Sequence, residues 1–376
     1  MVALIVASAE SSAELSPPQN VPTTAGPIAV ANLEGQLRAV GGRAVEAPAT
    51  RIELLLTRGA FLGRVADLAH ASELAEALPP TMAVWLLRAR TRSALHRFAA
   101  ALVALDEAEQ LGAGQRETRP QRASVLQALG ELDSALALRR LDVAASPTTA
   151  TLGAEAAVLA DMGLWDAAHA RFAEAARRFR DVSPFPIVWL LVQEGAMWAR
   201  AGESARAERF YRDAIARLPV YTHAVLHLAR VCRLAEGIAL LRPLLATSDD
   251  PEVPLLLAQL LRRDGRVAEA APLHAQAQIG YAALLERFPE AFAEHVAQLR
   301  LDEGPDARKA YQLALQNLAL RGTDQAFQLA GLSGLTAGSA KEACIILGVG
   351  AARPFASEAL RTLHASCPRA DGGPSP

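Results

Sequence analysis

The chain has 376 residues, with 38 Lys+Arg against 40 Asp+Glu and a formal charge of -2, a near balance that excludes the broad cationic field needed for nucleic acid or an anionic membrane. Hydrophobic residues make up 51% and aromatics only 5%, so the apolar content is chiefly Ala, Leu and Val, which suits helices packed closely through small side chains. Charged residues interrupt every apolar run before it reaches the length of a membrane-spanning helix, and three cysteines are too few for a disulfide framework.

At the N-terminus, Val2 to Val6 leads into Ala7-Ser8-Ala9, an apolar stretch followed by the A-x-A form of a signal-peptidase site, without a basic leading region. Two readings stay open: export with cleavage after Ala9, or a cytoplasmic chain with a disordered tail. Ser11, Ser12, Pro17, Pro18, Pro22 and Pro27 mark a flexible linker to residue 28, and 29–48 is expected to cap the array that follows.

From about Ala49, about nine stretches superpose at a spacing of about 34 residues. They cover 49–81, 82–115, 116–149, 149–182, 188–221, 222–250, 251–284, 291–323 and 324–357. Ala101, Ala135, Ala168, Ala207, Ala270, Ala310 and Ala343 recur where a second helix crosses a first, a place that admits only a small side chain. Gly63, Gly130, Gly163, Gly202, Gly265 and Gly338 mark turns that need a left-handed backbone. Pro80, Pro147 and Pro219 close second helices. The unit at 222–250 is shortened near 233–237, and Asp181 to Pro186 and Glu286 to Glu290 read as an insertion and a linker. Cys232 is expected as a small buried hydrophobe; Cys344 and Cys367, on neighbouring helices at the end of the array, read as two free thiols, with a bridge between them if the chain is exported. Pro354 to Cys367 reads as a capping helix, within 354–368, and 369–376 as a disordered tail.

This pattern, clearest in Gly195, Trp198, Gly202, Ala207, Tyr211, Ala214 and Pro219, resembles the tetratricopeptide repeat family, in the divergent bacterial style. The resemblance implies an all-α fold, a right-handed α-α superhelix made of helix hairpins. It also implies that the first helix of each hairpin lines a concave groove. On the matching positions, Arg90, Trp189, Arg200, His223, Arg230, Arg233, Glu252, Gln259, Arg262, Arg263 and His295 are expected to face that groove. Arginine dominates this set, and several guanidinium forks on one surface suit a carboxylate-bearing extended segment. Trp85, Trp198 and Tyr211 are assigned to packing, and Trp189 to anchoring a partner.

Catalytic signatures are missing from the sequence: it has no G-x-x-x-x-G-K-[ST], no H-E-x-x-H and no G-x-S-x-G. Gly348-Val349-Gly350 lacks the third small residue of a dinucleotide loop, because Arg353 stands there, and reads as a helix-end turn. His223 and His227 share a helix face, but no third ligand lies at a telling spacing, so no metal or cofactor is assigned. The expectation is a non-catalytic scaffold that binds a peptide or protein segment in its groove, with no nucleic acid partner and no membrane insertion. A rival reading is a self-associating component of a larger assembly, sticky at its last unit if Leu360 and Leu363 are exposed.

Overall fold

The computed structural model describes residues 22–41, 48–303 and 306–368. The A-x-A segment and the C-terminal tail lie outside them. A lead helix, α1 (Gly26–Gly41), is followed by hairpins of two helices each. The first four are α2 (Pro48–Leu62) with α3 (Val65–Ala77), α4 (Met82–Ala94) with α5 (Phe98–Gln110), α6 (Gln115–Leu129) with α7 (Leu132–Ala145), and α8 (Thr149–Asp161) with α9 (Trp165–Arg178). Then come α10 (Pro184–Arg200) with α11 (Ser204–Arg217), α12 (Thr222–Val231) with α13 (Leu234–Leu241), and α14 (Glu252–Arg263) with α15 (Val267–Arg287). The last are α16 (Pro289–Glu303) with α17 (Ala307–Leu320) and α18 (Asp324–Thr336) with α19 (Ala340–Ala351), closed by α20 (Glu358–Ala365). Each helix packs on the next in chain order, and the described residues contain no strand, so the fold is an all-α superhelix of hairpins.

The hairpins form where the sequence supplies two small residues. All six turn glycines have positive φ, from 61° at Gly63 to 85° at Gly130, a conformation that glycine reaches without the Cβ penalty. All seven crossing alanines are fully buried. The α4/α5 hairpin departs from the rule: His96, at φ 55°, takes the left-handed position that glycine holds elsewhere. Close approach at the crossing is clearest at Gly195 on α10, where a Cβ would stand 2.6 Å from the Tyr211 ring of α11.

Three local expectations need correction. Pro184 to Pro186 are not an insertion but the first turn of α10, where proline's missing N–H costs no hydrogen bond. The linker at 286–290 shrinks to Phe288 alone, because α15 continues to Arg287 with Pro272 inside it and α16 begins at Pro289. Cys232 is the half-buried C-cap of α12 instead of a core residue, since the shortened unit spends only Cys232 and Arg233 on its turn.

At the C-terminal end, Leu360 is fully buried and Leu363 partly so, on Phe327, Leu347 and Ala356. The last unit is therefore covered, and the sticky-end argument for self-association loses its basis there. Cys344 and Cys367, expected as free thiols, are joined in a disulfide that staples the end of α20 to α19. Sequence spacing alone could not show that the capping helix brings their Cα atoms to 5.8 Å.

The superhelix also closes on itself. Ser248 Oγ donates to Gly63 O at 2.8 Å, Asp249 N donates to the same oxygen at 3.1 Å, and the Asp249 carboxylate accepts from Val65 N and Ala66 N at the start of α3. Further round, Gly322 N donates to Leu129 O at 3.0 Å, and the Arg353 guanidinium donates to both Gly130 O and Gly322 O. Arg287 pairs with Glu73. Apart from the Arg353–Gly322 bond within the later turn, these partners lie between 183 and 223 residues apart in sequence, so one superhelical turn returns onto the next after that length of chain. Turns between the helices of early hairpins rest on the loops between later hairpins. The lead helix continues the same seam: Thr24 N donates to Val182 O at 2.7 Å and Gly26 sits against Arg217 O. An apolar patch backs it, with the Phe61 ring 4.8 Å from Phe185 and 4.9 Å from Tyr221.

Candidate functional site

All but Arg233 of the residues the sequence nominated lie on the first helices of their hairpins. Arg90 on α4 pairs with Glu53 on α2, Arg200 on α10 bonds Asp161 on α8 at 2.5 Å, and Arg230 on α12 pairs with Glu252 on α14. Each guanidinium thus reaches to a neighbouring first helix and finds a carboxylate already there. The expectation of a row of open arginines is corrected on this point. Among the described residues, Arg262 and Arg263, at the exposed end of α14, and Arg233, the exposed N-cap of α13, have no side-chain carboxylate within salt-bridge distance. Trp189 is half-buried on the core and lies over Gly153 of α8, so packing takes much of its surface.

The central part of this face is a cluster of histidines set against tyrosines. His227 stacks on Tyr211 at 5.2 Å with planes 10° apart, His223 meets Tyr221 edge-on at 6.2 Å, and His295 on α16 stacks on Tyr281 of α15 at 6.0 Å. His223 touches solvent, yet burial holds its pKa below the ordinary histidine value, helped by Arg230 and opposed by Glu252. Burial, with Arg230 and His223 adding to it, lowers His227 to about 4. Burial, reinforced by the Glu252 charge, raises Asp250 to about 6. Burial alone would raise Glu252 too, but Arg230, His295 and His223 outweigh it and its pKa falls. At neutral pH the cluster therefore holds the Arg230–Glu252 ion pair and the neutral imidazoles of His223 and His227.

Beside it, α14, α15 and α16 enclose a recess of about 440 Å³ lined by Leu255, Gln259, Arg262, His274, Leu299 and Asp302. Leu255, Gln259 and Arg262 fall on one face of α14 by helical spacing, and Leu299 and Asp302 face them from α16. The recess offers the apolar Leu255 and Leu299, the Gln259 amide, the Arg262 guanidinium, the His274 imidazole and the Asp302 carboxylate. His274 and Asp302 were not nominated by the sequence; Asp302 shares helical register with His295 on α16, whereas nothing in the sequence marked His274 on α15. Among the described residues, no group of three or more His, Cys, Asp or Glu is placed to hold a metal ion, and no helix is long and apolar enough to cross a membrane. Gly348 and Gly350 lie in the last turn of α19, where their carbonyls accept the N–H of the C-cap Ala352 and Gly350 packs on Phe327, so they form a helix end and no dinucleotide loop.

Successive helix hairpins, glycine turns and alanine crossings at one offset together decide the architecture. The fold is an all-α solenoid of helix hairpins, similar in pattern to tetratricopeptide repeats. No family model matches the solenoid, and no curated protein does. Solved structures similar to it are helical-repeat proteins. One is from the APC/C hetero-tetramer Cut9-Hcn1, at 17% identity over 85% of this chain and 63% of that one, with a TM-score of 0.48. Another is the human IFIT1 dimer with PPP-AAAA, at 14% identity over 93% of this chain and 86% of that one, with a TM-score of 0.46. A third is a tetratricopeptide repeat protein from Parabacteroides merdae, at 12% identity over 80% of this chain and 99% of that one, with a TM-score of 0.40. The solenoid spans less than two thirds of the Cut9-Hcn1 chain, and at these scores the likenesses assign it neither ligand nor activity.

Proposed function

We propose that this protein is a non-catalytic scaffold that holds an extended, acidic protein segment on the face formed by α12, α14 and α16. The observation that supports this reading is the recess beside Arg262, whose guanidinium makes no salt bridge among the described residues and stands with Leu255 and Leu299, with Asp302 on the facing wall left to orient rather than to neutralise it. A carboxylate flanked by an aliphatic side chain satisfies both at once, the first by a charge-assisted bond and the second by burial. Arg263 and Arg233 extend the positive strip, whereas Arg90, Arg200 and Arg230 serve their neighbours and hold the first helices in register. The stapled C-terminus suits an oxidising compartment, which favours the exported of the two locations read from the N-terminus.

Panning a random peptide library on the immobilised full chain tests the reading. Asp- or Glu-containing sequences with a neighbouring aliphatic residue are expected to enrich, and to lose about tenfold or more in affinity for the Arg262→Glu/Arg263→Glu variant. Arg230 is left intact, since reversing it would strand Glu252 in the interior and confound folding with binding. Equal enrichment on parent and variant would remove the groove assignment.

A further inference from the structure

We infer that the N-terminal stretch from Glu10 to Val21 docks, within the same molecule, along a basic recess between the α7–α8 and α9–α10 loops. This surface is separate from the α12, α14 and α16 face, and its test involves no partner, so the inference stands or falls apart from the function proposed above.

The recess, of about 520 Å³, lies where two loops between successive hairpins meet. Pro147, Phe179 and Pro186 give it apolar surface, and Arg177, Arg178 and Arg180 contribute its positive charge. The three arginines are not equally engaged. Arg178 bonds Glu174 at 3.3 Å on the exposed surface, and Arg180 donates to the carbonyls of Arg177 and Phe179. Arg177 has no hydrogen bond or ion pair among the described residues. The carboxylate that shares the recess, Asp181, accepts from Ser183 N in its own loop, and the first turn of α8 adds no acidic side chain. Three guanidinium groups thus face one carboxylate, a local excess in a chain whose charges otherwise nearly balance.

The course of the chain leads to this place. Thr24 N donates to Val182 O, next to Asp181, and Gly26 stands against Arg217 O and Pro219. Followed backwards, the chain therefore steps from the α11–α12 loop to the α9–α10 loop, and the next loop in that direction is α7–α8, whose Pro147 and Thr148 line the recess. The sequence before Pro22 matches what lies there. Glu10 and Glu14 are the only charged side chains among residues 1–21, and Leu15, Pro17 and Pro18 follow them. Carboxylates with aliphatic and proline neighbours complement guanidinium groups set beside Phe179 and two prolines. The stretch from Leu15 to Thr24 reaches about 30 Å when extended, ample for a recess that begins beside Val182. Tethering supplies an effective concentration on the order of millimolar, so individually weak exposed pairs suffice to hold the segment.

The test is the mobility of a nitroxide spin label on Ser16→Cys in the full chain, in a Cys232→Ser background with the Cys344–Cys367 disulfide intact. Ser16 and both glutamates remain if the chain is cleaved after Ala9. The electron paramagnetic resonance spectrum is expected to contain a broad, immobilised component. Arg177→Glu/Arg178→Glu, which spares the carbonyl bonds of Arg180, is expected to remove that component. Glu10→Arg/Glu14→Arg, which changes no residue of the recess or the hairpins, is expected to remove it too. Combining the two pairs restores opposite charges and is expected to bring the broad component back. Melting temperature reports the hairpins, and the glutamate pair keeps the test valid where the arginine pair shifts it. A sharp, freely tumbling spectrum from the parent refutes the inference, and so does a broad component that survives the reversals.

Discussion

Gly195→Val is expected to destabilise the array by about 1–3 kcal/mol, the usual cost of forcing extra methyl groups into a filled core. Opposing effects act at this position. A glycine in a helix interior costs up to about 1 kcal/mol relative to alanine, and any side chain would recover part of that. The geometry decides the sign: a Cβ at Gly195 stands 2.6 Å from Cε1 and 2.8 Å from Cδ1 of Tyr211, whose ring is 1% exposed and stacks on His227 beyond. The ring cannot retreat without displacing the imidazole that lines the interior. Urea titration of parent and variant gives the loss as a shift in midpoint. The double variant Gly195→Val/Tyr211→Leu is expected to recover part of it, because the cavity opened by the tyrosine receives the valine, and such coupling identifies a direct contact.

Acidification is the second large effect. Burial lowers His96 to about 3, with Arg321 and His295 adding to it, and lowers His227 to about 4. In the unfolded chain both titrate near the ordinary histidine value of about 6.5. A histidine whose folded pKa lies below its unfolded one contributes stability that is fully present above the unfolded value and is lost as pH falls towards the folded one. The window thus opens near pH 6.5 and extends to about 4 for His227 and about 3 for His96. Asp250 acts in the opposite sense: its pKa, raised to about 6, makes its charged form a burden that protonation relieves between there and the ordinary carboxylate value. Two histidines against one aspartate leave a net loss, on the order of 2 kcal/mol between pH 7 and pH 4.5. Denaturant midpoints at the two pH values measure it. His96→Asn, which tolerates the left-handed backbone but does not titrate, is expected to flatten the dependence, and an unchanged slope would mean that His96 is not buried neutral.

The repeat architecture was legible because it is local. Gly202 and Ala207 sit five residues apart and report one hairpin turn and one crossing, and the same pair recurs along the chain. His96 escaped notice because a left-handed residue other than glycine leaves no compositional mark. Pro184 to Pro186 misled because proline both breaks a helix and begins one, and only the following apolar run from Ile187 tells which. The site was half legible. Register placed Arg90, Arg200 and Arg230 on first helices, where the structure has them, but whether an arginine is open depends on the carboxylate one hairpin away. Arg90 and Glu53 are 37 residues apart and Arg200 and Asp161 are 39 apart, close to one repeat, so opposite charges at that spacing were the signal available. The seam had no such signal, since contacts like that between Gly63 and Ser248 follow from the pitch of the whole superhelix, which no single repeat encodes.

The claim that a partner segment lies along α12, α14 and α16 is tested most directly by hydrogen–deuterium exchange on the full chain, with and without an acidic peptide selected by panning. The account predicts slowed exchange on binding in the first helices α12, α14 and α16, with the exposed backs of α5 and α7 unchanged. Protection confined to the second helices, or to the outer surface marked by Val103 and Leu141, would contradict it.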